Sequence, residues 1–511
     1  MQVRVLSESE CECIHQATLT VLGKTGVEFA ACPAAHEIFT KAGCTVQGDR
    51  VFFPATMVAA TLKLVPDRNS IAPFFPFLGY AGPLSVKQGS VSFGLIGNAF
   101  YLYDYAAGTS RDCLESDVND KLLVLDSLPN FQYDCCNLFT ASERGIGAPV
   151  PREYGTIEAS TRFLRRWVRG RAVAGRKPLP IGNRNTVMEE QRLTVLGHMI
   201  VEGAAKTRAI LNHQTGFTWC NPLSPLKYKA SEAESIMRVA RSGNGWNSIS
   251  PEVMLGGTGP VTMAGALVQH NAEVLAGVML SQCARPGSTC LYGCVSAPMD
   301  LRNADISQGN FETALFNAAV VQLADRYGLP SRISPGTSSD RKPGARALAE
   351  AAVGLYLGAA AGGNIITTGL LDSTIMISYE HMVMVDELIS QVRSIAGGIA
   401  TDADGLALDV IAQVGRENGN YLACDHTMQH MKRDVYYSEF NGRIKESFED
   451  SYDKAHRRIT EIFKRRETSA HVDKEILARL ASVEKCLQKD NETWRSDKKD
   501  WFKQYIKGLD R

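Results

Sequence analysis

Residues 253–275 read VMLGGTGPVTMAGALVQHNAEVL, a glycine-rich loop running into a helix that carries His270, Asn271 and Glu273. Two chemistries fit these residue types. Free N–H groups at the start of a helix opened by Pro260 could hold a phosphate or a carboxylate through Gly256, Gly257 and Thr258, and Glu273 or His270 could transfer a proton. Spacing weakens the nucleotide version of the first: the glycines do not form G-x-G-x-x-G, and no lysine follows as in a Walker A loop. Burial weakens the second. The helix is apolar nearly all round, with Thr262, Gly265, Gln269 and Glu273 on one stripe and His270 beside it. Polar groups so placed need partners, so His270, Asn271 and Glu273 read as structural support for the loop, with proton transfer as the alternative.

Other reactive constellations lack their residues. There is no H-E-x-x-H, and His426 and His430 stand four apart without a third ligand that spacing reveals, so no metal is expected on this chain. A G-x-S-x-G hydrolase elbow is absent. The 13 cysteines include no C-x-x-C pair and no signal peptide precedes them, which points to reduced thiols in a cytoplasmic protein. Lys plus Arg equals Asp plus Glu at 55 each, so no global field draws the chain to nucleic acid or an anionic membrane. The apolar runs are too short and too rich in Gly and Ala to require a bilayer.

The elements that must position these residues follow a repeating plan. Short apolar strands are expected at 90–97, 131–139, 171–175, 208–217, 246–255, 288–295, 331–336 and 364–371, each followed by helical sequence. Eight such units predict an α/β fold, a (β/α)8 TIM barrel over 73–398, whose active site lies at the C-terminal ends of the strands. The loop at 256–260 then follows the fifth strand at the barrel mouth. Residues 1–72 are expected to form an α-helical module packed on the barrel, opened by a Ser7–Glu10 capping box, with a short strand and a proline-started second helix in GDRVFFPATMVAATLKLVP. Residues 399–511 are expected to be a helical extension, its late part a solvated charged tail or a partner-facing arm. The buried helix and the charged tail together suggest a homo-oligomer.

Three stretches carry a resemblance: GGTGPVTMAGALVQHNAEVLAGVMLSQCARPG, GLPSRISPGTSSDRKPGARALAEAAVGLYLGAAAGGNIITTGLL and SYEHMVMVDELI. Together with the entry LSESECECIHQATLTVLGKTGV and the late VGRENGNYLACDHTMQHMKRD, they resemble the trimethylamine methyltransferase superfamily. The resemblance implies a TIM barrel that moves a methyl group from a methylated amine to the Co(I) of a corrinoid on a separate protein. Founding members place pyrrolysine at the end of the seventh strand; aligned on Ser339, Asp340 and Lys342, that position is Thr337 here, with a one-residue insertion upstream. The chain therefore resembles the non-pyrrolysine branch, whose members demethylate glycine betaine and related betaines.

Elementary chemistry agrees with that substrate. A quaternary ammonium expels a neutral amine on methyl transfer and needs no acid catalyst, which leaves positioning, worth roughly 7–11 kcal/mol, to the protein. Such a cation donates no strong hydrogen bond, so aromatic faces near strand ends are expected around it: Phe93, Tyr101, Phe139, Phe217, Trp219, Trp246 and Tyr292, with Tyr292, Phe93 and Trp219 foremost. Asn98, His213 and Gln214 would orient the ligand, and Gly336 lies beside the special position. Arg332 would pair with a carboxylate if it points inward; strand alternation leaves inward and outward equally open. Thr337, Asp340 and Glu252 are the catalytic candidates, and a tertiary-amine substrate would call on Asp340, Glu252 or His270 to supply a proton. A non-catalytic quaternary-amine-binding paralogue is the alternative outside enzymes, and a phosphate-binding barrel enzyme a more distant one.

Overall fold

The computed structural model describes residues 3–71, 84–141, 216–243, 245–416, 419–440, 449–464 and 474–489. Its centre is a seven-stranded sheet in which every neighbouring pair is parallel. The strands are β4 (Ser92–Ala99), β7 (Phe131–Leu138), β8 (Gly216–Cys220), β10 (Gly245–Ile249), β12 (Thr289–Gly293), β15 (Ser331–Gly336) and β16 (Ile365–Thr368), ordered β7-β4-β16-β15-β12-β10-β8. Within this sheet the last strand in chain order, β16, thus pairs with the first, β4. Among the described residues the sheet is not closed between β7 and β8. The strand expected at 171–175 lies outside the described residues, and that expected at 208–217 overlaps them only at 216–217, where β8 begins.

Helices follow the strands as the alternating pattern predicts: α4 (Glu115–Asp126), α5 (Ala230–Ser242), α6 (Met263–Ala284), α7 (Phe311–Arg326), α8 (Ala345–Ala361) and α9 (Tyr379–Ala396). Strands covered on both faces lose the in-out alternation of polarity, and β10 and β15 are buried at every position. In β15, Pro335 has no N–H to donate, and the register with β16 shifts between Ile333 and Gly336. A Cβ added at Gly354 of α8 would lie 1.7 Å from the Pro335 carbonyl oxygen, so glycine there lets the helix rest on the strand backbone.

Short pairings decorate the sheet: β5 (Tyr101–Asp104) with β6 (Thr109–Asp112) and β17 (Met376–Ile377), and β11 (Met254–Leu255) with β13 (Ala297–Asp300) and β14 (Asp305–Ile306). Of these, β5, β11, β13 and β17 come after the ends of β4, β10, β12 and β16, while β6 and β14 turn back antiparallel to β5 and β13.

The N-terminal module holds more strand than the single short one expected in GDRVFF before the proline-opened helix. Its helices α1 (Glu8–Thr20), α2 (Pro33–Lys41) and α3 (Ala55–Leu62) accompany three strands, β1 (Val27–Phe29), β2 (Thr45–Gln47) and β3 (Arg50–Phe52), joined in parallel by β9 (Lys227–Tyr228). Strands of three residues are too short for a period of two to register in the sequence. The Ser7–Glu10 capping box is present on α1. Leu22, Phe29, Phe39 and Phe53 of this module share one hydrophobic core with Tyr228 of β9 and with Leu275 and Met279 of α6. Helix α6, clasped between the module and the sheet, is buried from Ala272 to Gln282 without a break, which accounts for its apolar circumference.

Beyond α9 come a short turn (Ala403–Leu406), α10 (Leu408–Arg416), α11 (Asp425–His430), α12 (Ser451–Lys464) and α13 (Lys474–Lys489). Helix α12 belongs to the body and is not a solvated tail. It buries Tyr452, Ala455, Ile459 and Ile462, meets Tyr379 through Phe463 with ring centroids 5.6 Å apart, and approaches Glu380 through His456 at 2.8 Å. The charged residues at 491–511 lie outside the described residues. Among the described residues, no helix is long and apolar enough to cross a membrane.

Candidate functional site

Alternation along β15 decides where its polar residues go. Ile333 turns toward α8, where its side chain fills the space beside Gly358 and Gly363, so Arg332 and Ser334 turn inward. Both line a cavity of about 60 Å³ inside the sheet, together with Ile96, Gly97, Asn98, Cys135, Trp219, Asn221, Glu252, Val295, Gln308 and Thr374. Arg332 is 3% exposed, and its guanidinium lies 5.0 Å from the centre of the Trp219 ring. That position lets the charge act on its surroundings: it opposes the rise that burial imposes on the Tyr133, Cys135 and Cys294 hydroxyl and thiols.

Glu252 reaches the cavity from the segment after β10, and its two chain neighbours are clamped. Ser296 Oγ donates to the Pro251 carbonyl at 3.0 Å and accepts from Val253 N–H at 2.9 Å. With that hydroxyl proton committed, the His270 Nδ1 contact at 3.0 Å requires His270 to donate. Burial depresses the His270 pKa to about 3, so the ring stays neutral and holds this tautomer. His270 thus meets the hydroxyl of Ser296, which holds the backbone on either side of Glu252. Asn271 donates to Thr18 Oγ1 and Tyr327 Oη and accepts from Tyr292 Oη, tying α1, α7 and β12 to one amide. Glu273 accepts from Ser224 Oγ, Leu226 N–H and Gln269 Nε2, while Gln269 also donates to the Thr258 carbonyl of the glycine loop.

The loop itself is closed to anions. The amide of Gly256 donates to the Gly259 carbonyl, and those of Gly257, Thr258 and Gly259 all donate to the Met254 carbonyl. Gly256 has φ +90°, and a Cβ at Gly259 would fall 2.3 Å from Val253 Cγ1. The glycines serve a tight turn, and neither phosphate nor carboxylate finds a free donor among these four amides.

Three consecutive non-glycine residues after β16 hold positive φ: Asp372 (48°), Ser373 (50°) and Thr374 (84°). For a β-branched residue this is a strained backbone, and Thr374 lines the cavity. The neighbours hold it there: Asp372 N–H donates to the Asp340 carbonyl, Ser373 N–H to the Ser338 carbonyl, Ser373 Oγ to the Ile306 carbonyl, and Gln308 N–H to Ser373 Oγ. Asp340 thus fastens a rim loop through its backbone. Thr337, directly after β15, is fully buried and stands outside the cavity lining, as does Gly336, whose carbonyl accepts from Thr368 Oγ1 at 2.7 Å.

Of the ligand-binding candidates, Asn98, Trp219 and Arg332 meet in the cavity with Glu252. The aromatic cage does not assemble there. Phe93 is the second residue of β4, at the opposite end from the rim, and packs in the core. Tyr292 points outward to Asn271, Trp246 is buried at the start of β10, and Phe139 stacks on Phe100 with centroids 5.5 Å apart. Tyr101 packs in a small rim cluster with Ala347 and Leu371. Trp219 is the aromatic side chain on the cavity among the described residues; His213, Gln214 and the Phe217 side chain lie outside them. Sequence reasoning missed Ser334, which follows from Arg332 by alternation, and Asn221, Gln308 and Thr374, which sit on irregular segments without periodicity. Gln308 Oε1 and Ser334 Oγ are buried and accept no hydrogen bond among the described residues.

A family model described as trimethylamine methyltransferase (MTTB) matches residues 1–120 and 186–485. A glycine betaine methyltransferase of Desulfitobacterium hafniense is 28% identical, covering 86% of this chain and 87% of that protein. A trimethylamine methyltransferase, MttB, of Methanosarcina thermophila is 30% identical over 437 residues, with 84% and 85% covered. The solved monomethylamine methyltransferase MtmB of Methanosarcina barkeri aligns with a TM-score of 0.45 at 12% identity, over 89% of this chain and 92% of that one.

Proposed function

The chain belongs to the trimethylamine methyltransferase family, and from that membership we propose that it demethylates a small quaternary ammonium compound of the betaine type, glycine betaine or a near relative. The methyl group passes to the Co(I) of a corrinoid carried by a separate protein, which docks over the mouth of an eight-stranded barrel. One observation carries the substrate choice: a buried arginine and a carboxylate, Arg332 and Glu252, line the same cavity. A zwitterion with a carboxylate at one end and a fixed cation at the other complements that pair.

The roles follow from the chemistry of each group. Arg332 grips the substrate carboxylate through its planar fork of donors. Glu252, with the oxygens of Asn98, Asn221 and Gln308, faces the ammonium head, whose methyl groups offer positive surface and no N–H. Trp219 has the Arg332 guanidinium over its ring and keeps that side chain extended into the cavity. The corrinoid supplies the nucleophile. The C–N bond breaks with its electron pair remaining on nitrogen, so the departing amine is neutral and no proton is required. Thr337 and Asp340 enter as neighbours that shape the rim, and Gly336 as the close contact to Thr368.

The presence of Glu252 in the cavity also favours a second reading, a tertiary amine protonated by that carboxyl group. Adding Co(I) cobalamin with a panel of betaines and methylamines, and following the spectral change of methylation, tests both. Methylation by betaines supports the main reading, and no change with any of them refutes it. Glu252→Gln separates the readings: it raises KM for a quaternary substrate and lowers kcat for a tertiary one. Arg332→Ala is expected to weaken use of glycine betaine about 10- to 100-fold, in line with roughly 1.5–3 kcal/mol for a hydrogen bond to a charged group, and to leave choline nearly unaffected. Equal loss on both would remove Arg332 from the site.

A further inference from the structure

The C-terminal extension brings together three side chains that the reaction does not use. His426 and His430 lie one turn apart on α11, with ring centroids 4.1 Å apart. Asp404 sits on the turn Ala403–Leu406, 22 residues before His426, and supplies the third ligand that spacing could not disclose. One ligand atom from each of the three lies within 4.8 Å of the others. His430 Nε2 is 3.1 Å from Asp404 Oδ2, close to the ~3.4 Å between two donors that share a tetrahedral zinc at about 2.1 Å each.

We propose that Asp404, His426 and His430 bind a divalent transition-metal ion, zinc in the first instance, which clips α11 to the Ala403–Leu406 turn. The support around His430 fits that role. Its other nitrogen, Nδ1, is held by Asp434 Oδ2 at 2.7 Å and by Arg433 Nη2, so the ring is oriented with Nε2 toward Asp404. A cation between Nε2 and Asp404 Oδ2 would take the place of the hydrogen bond that this 3.1 Å contact allows. His430 is buried while Asp404 is exposed, which gives an ion a firm anchor and an entry path. Asp402 caps the turn, accepting from Gly405 N–H at 2.8 Å, and so orients Asp404. Arg433 is the cation nearby: it pairs with Asp434, Nε to Oδ1 at 2.8 Å, and stays 4.0 Å from Asp404 Oδ2. Two imidazoles and a carboxylate suit zinc, with remaining positions left to solvent.

The test uses the full chain, stripped with EDTA and re-equilibrated with zinc alone, with bound metal measured by elemental analysis after dialysis. One zinc per chain above the content of a His426→Ala/His430→Ala variant is expected, together with a zinc-dependent rise in thermal midpoint that the variant lacks. Asp404→Asn, at an exposed position, serves where the double variant fails to fold, and should also lose the ion. Equal zinc in the wild type and in Asp404→Asn or the double variant overturns the proposal, as does less than about a tenth of an ion per chain at saturating zinc. In either case the cluster is a hydrogen-bonded clip between α11 and the turn.

Discussion

Glu273 places a carboxyl group at 0% exposure between α6 and the segment after β8. Burial raises its pKa from the ordinary 4.5 to about 7, against the opposing pull of three donors, Leu226 N–H, Ser224 Oγ and Gln269 Nε2. A raised carboxyl pKa destabilises the fold at high pH. Below 4.5 the group is protonated whether the chain is folded or not, and the fold bears no cost. Between 4.5 and about 7 the unfolded chain ionises first, so stability falls as pH rises; above about 7 the folded carboxylate carries the full penalty. At ~1.36 kcal/mol per tenfold change in proton affinity, the penalty is on the order of 3 kcal/mol.

Glu273→Gln tests this closely because glutamine has the same shape and cannot ionise. Its carbonyl accepts from Leu226 and Gln269, and its amide donates to Ser224 Oγ, which rotates to accept. The variant should match or fall slightly below the wild type at pH 5 and exceed it at pH 8. With an unfolding entropy of ~2.1 cal/mol/K per residue over 511 residues, 3 kcal/mol corresponds to roughly 3 °C in thermal midpoint. Circular dichroism melts from pH 5 to pH 9 read the difference. A variant less stable by the same amount at every pH would refute the reasoning, for it would mean that the three donors keep Glu273 ionised throughout.

Two further predictions concern buried polar pairs outside the cavity. Lys121 is 0% exposed, pairs with Asp134 at 2.7 Å and donates to the Cys136 carbonyl; Lys121→Met strands a buried carboxylate and should cost about 3–5 kcal/mol by denaturant unfolding, while Lys121→Met with Asp134→Leu recovers most of it. Failure of the second change to rescue would show that Asp134 is not the burdened partner. Asn271→Leu removes the amide shared by Thr18, Tyr292 and Tyr327 and should destabilise by about 3 kcal/mol or more, with protease cleavage appearing first in residues 3–71 as the N-terminal module loosens. Unchanged proteolysis there would place the junction's stability in its apolar contacts.

The strands of the parallel sheet were legible because segments buried on both faces announce themselves as short apolar runs closed by Gly, Ser or Asn: SRISPG is a strand over its whole expected length. In the N-terminal module, Arg50–Phe52 falls where a short strand is expected in GDRVFF, while Val27–Phe29 and Thr45–Gln47 carry no such signal. Side-chain direction was legible only where a second constraint fixed its phase. Tyr292 and Phe93 were chosen for aromatic character near glycine-rich strand ends, yet one faces an asparagine behind the sheet and the other sits at the far end of its strand. Gln308 and Thr374 meet the cavity from loops whose conformation is imposed by contacts from residues 306–308 and 338–340, and no local pattern encodes such contacts. Asp404 is distant from both histidines in sequence for the same reason.

The position of Arg332 is set from outside the cavity. Gly354 and Gly358 have no side chains, so α8 settles against the backbone of β15 near Pro335, and Ile333 fills the remaining outward space between them. An isoleucine so held cannot exchange faces with its neighbours, because a one-residue slip would drive an arginine into the helix layer and leave the isoleucine's volume empty. The register that buries Ile333 is therefore the same register that delivers Arg332 and Ser334 to the cavity. Glu252 is delivered in a comparable way, from a backbone pinned by Ser296 and a neutral His270 that face the helices. The two charged side chains on the cavity are thus delivered by backbone whose outward contacts are made by uncharged residues behind the sheet.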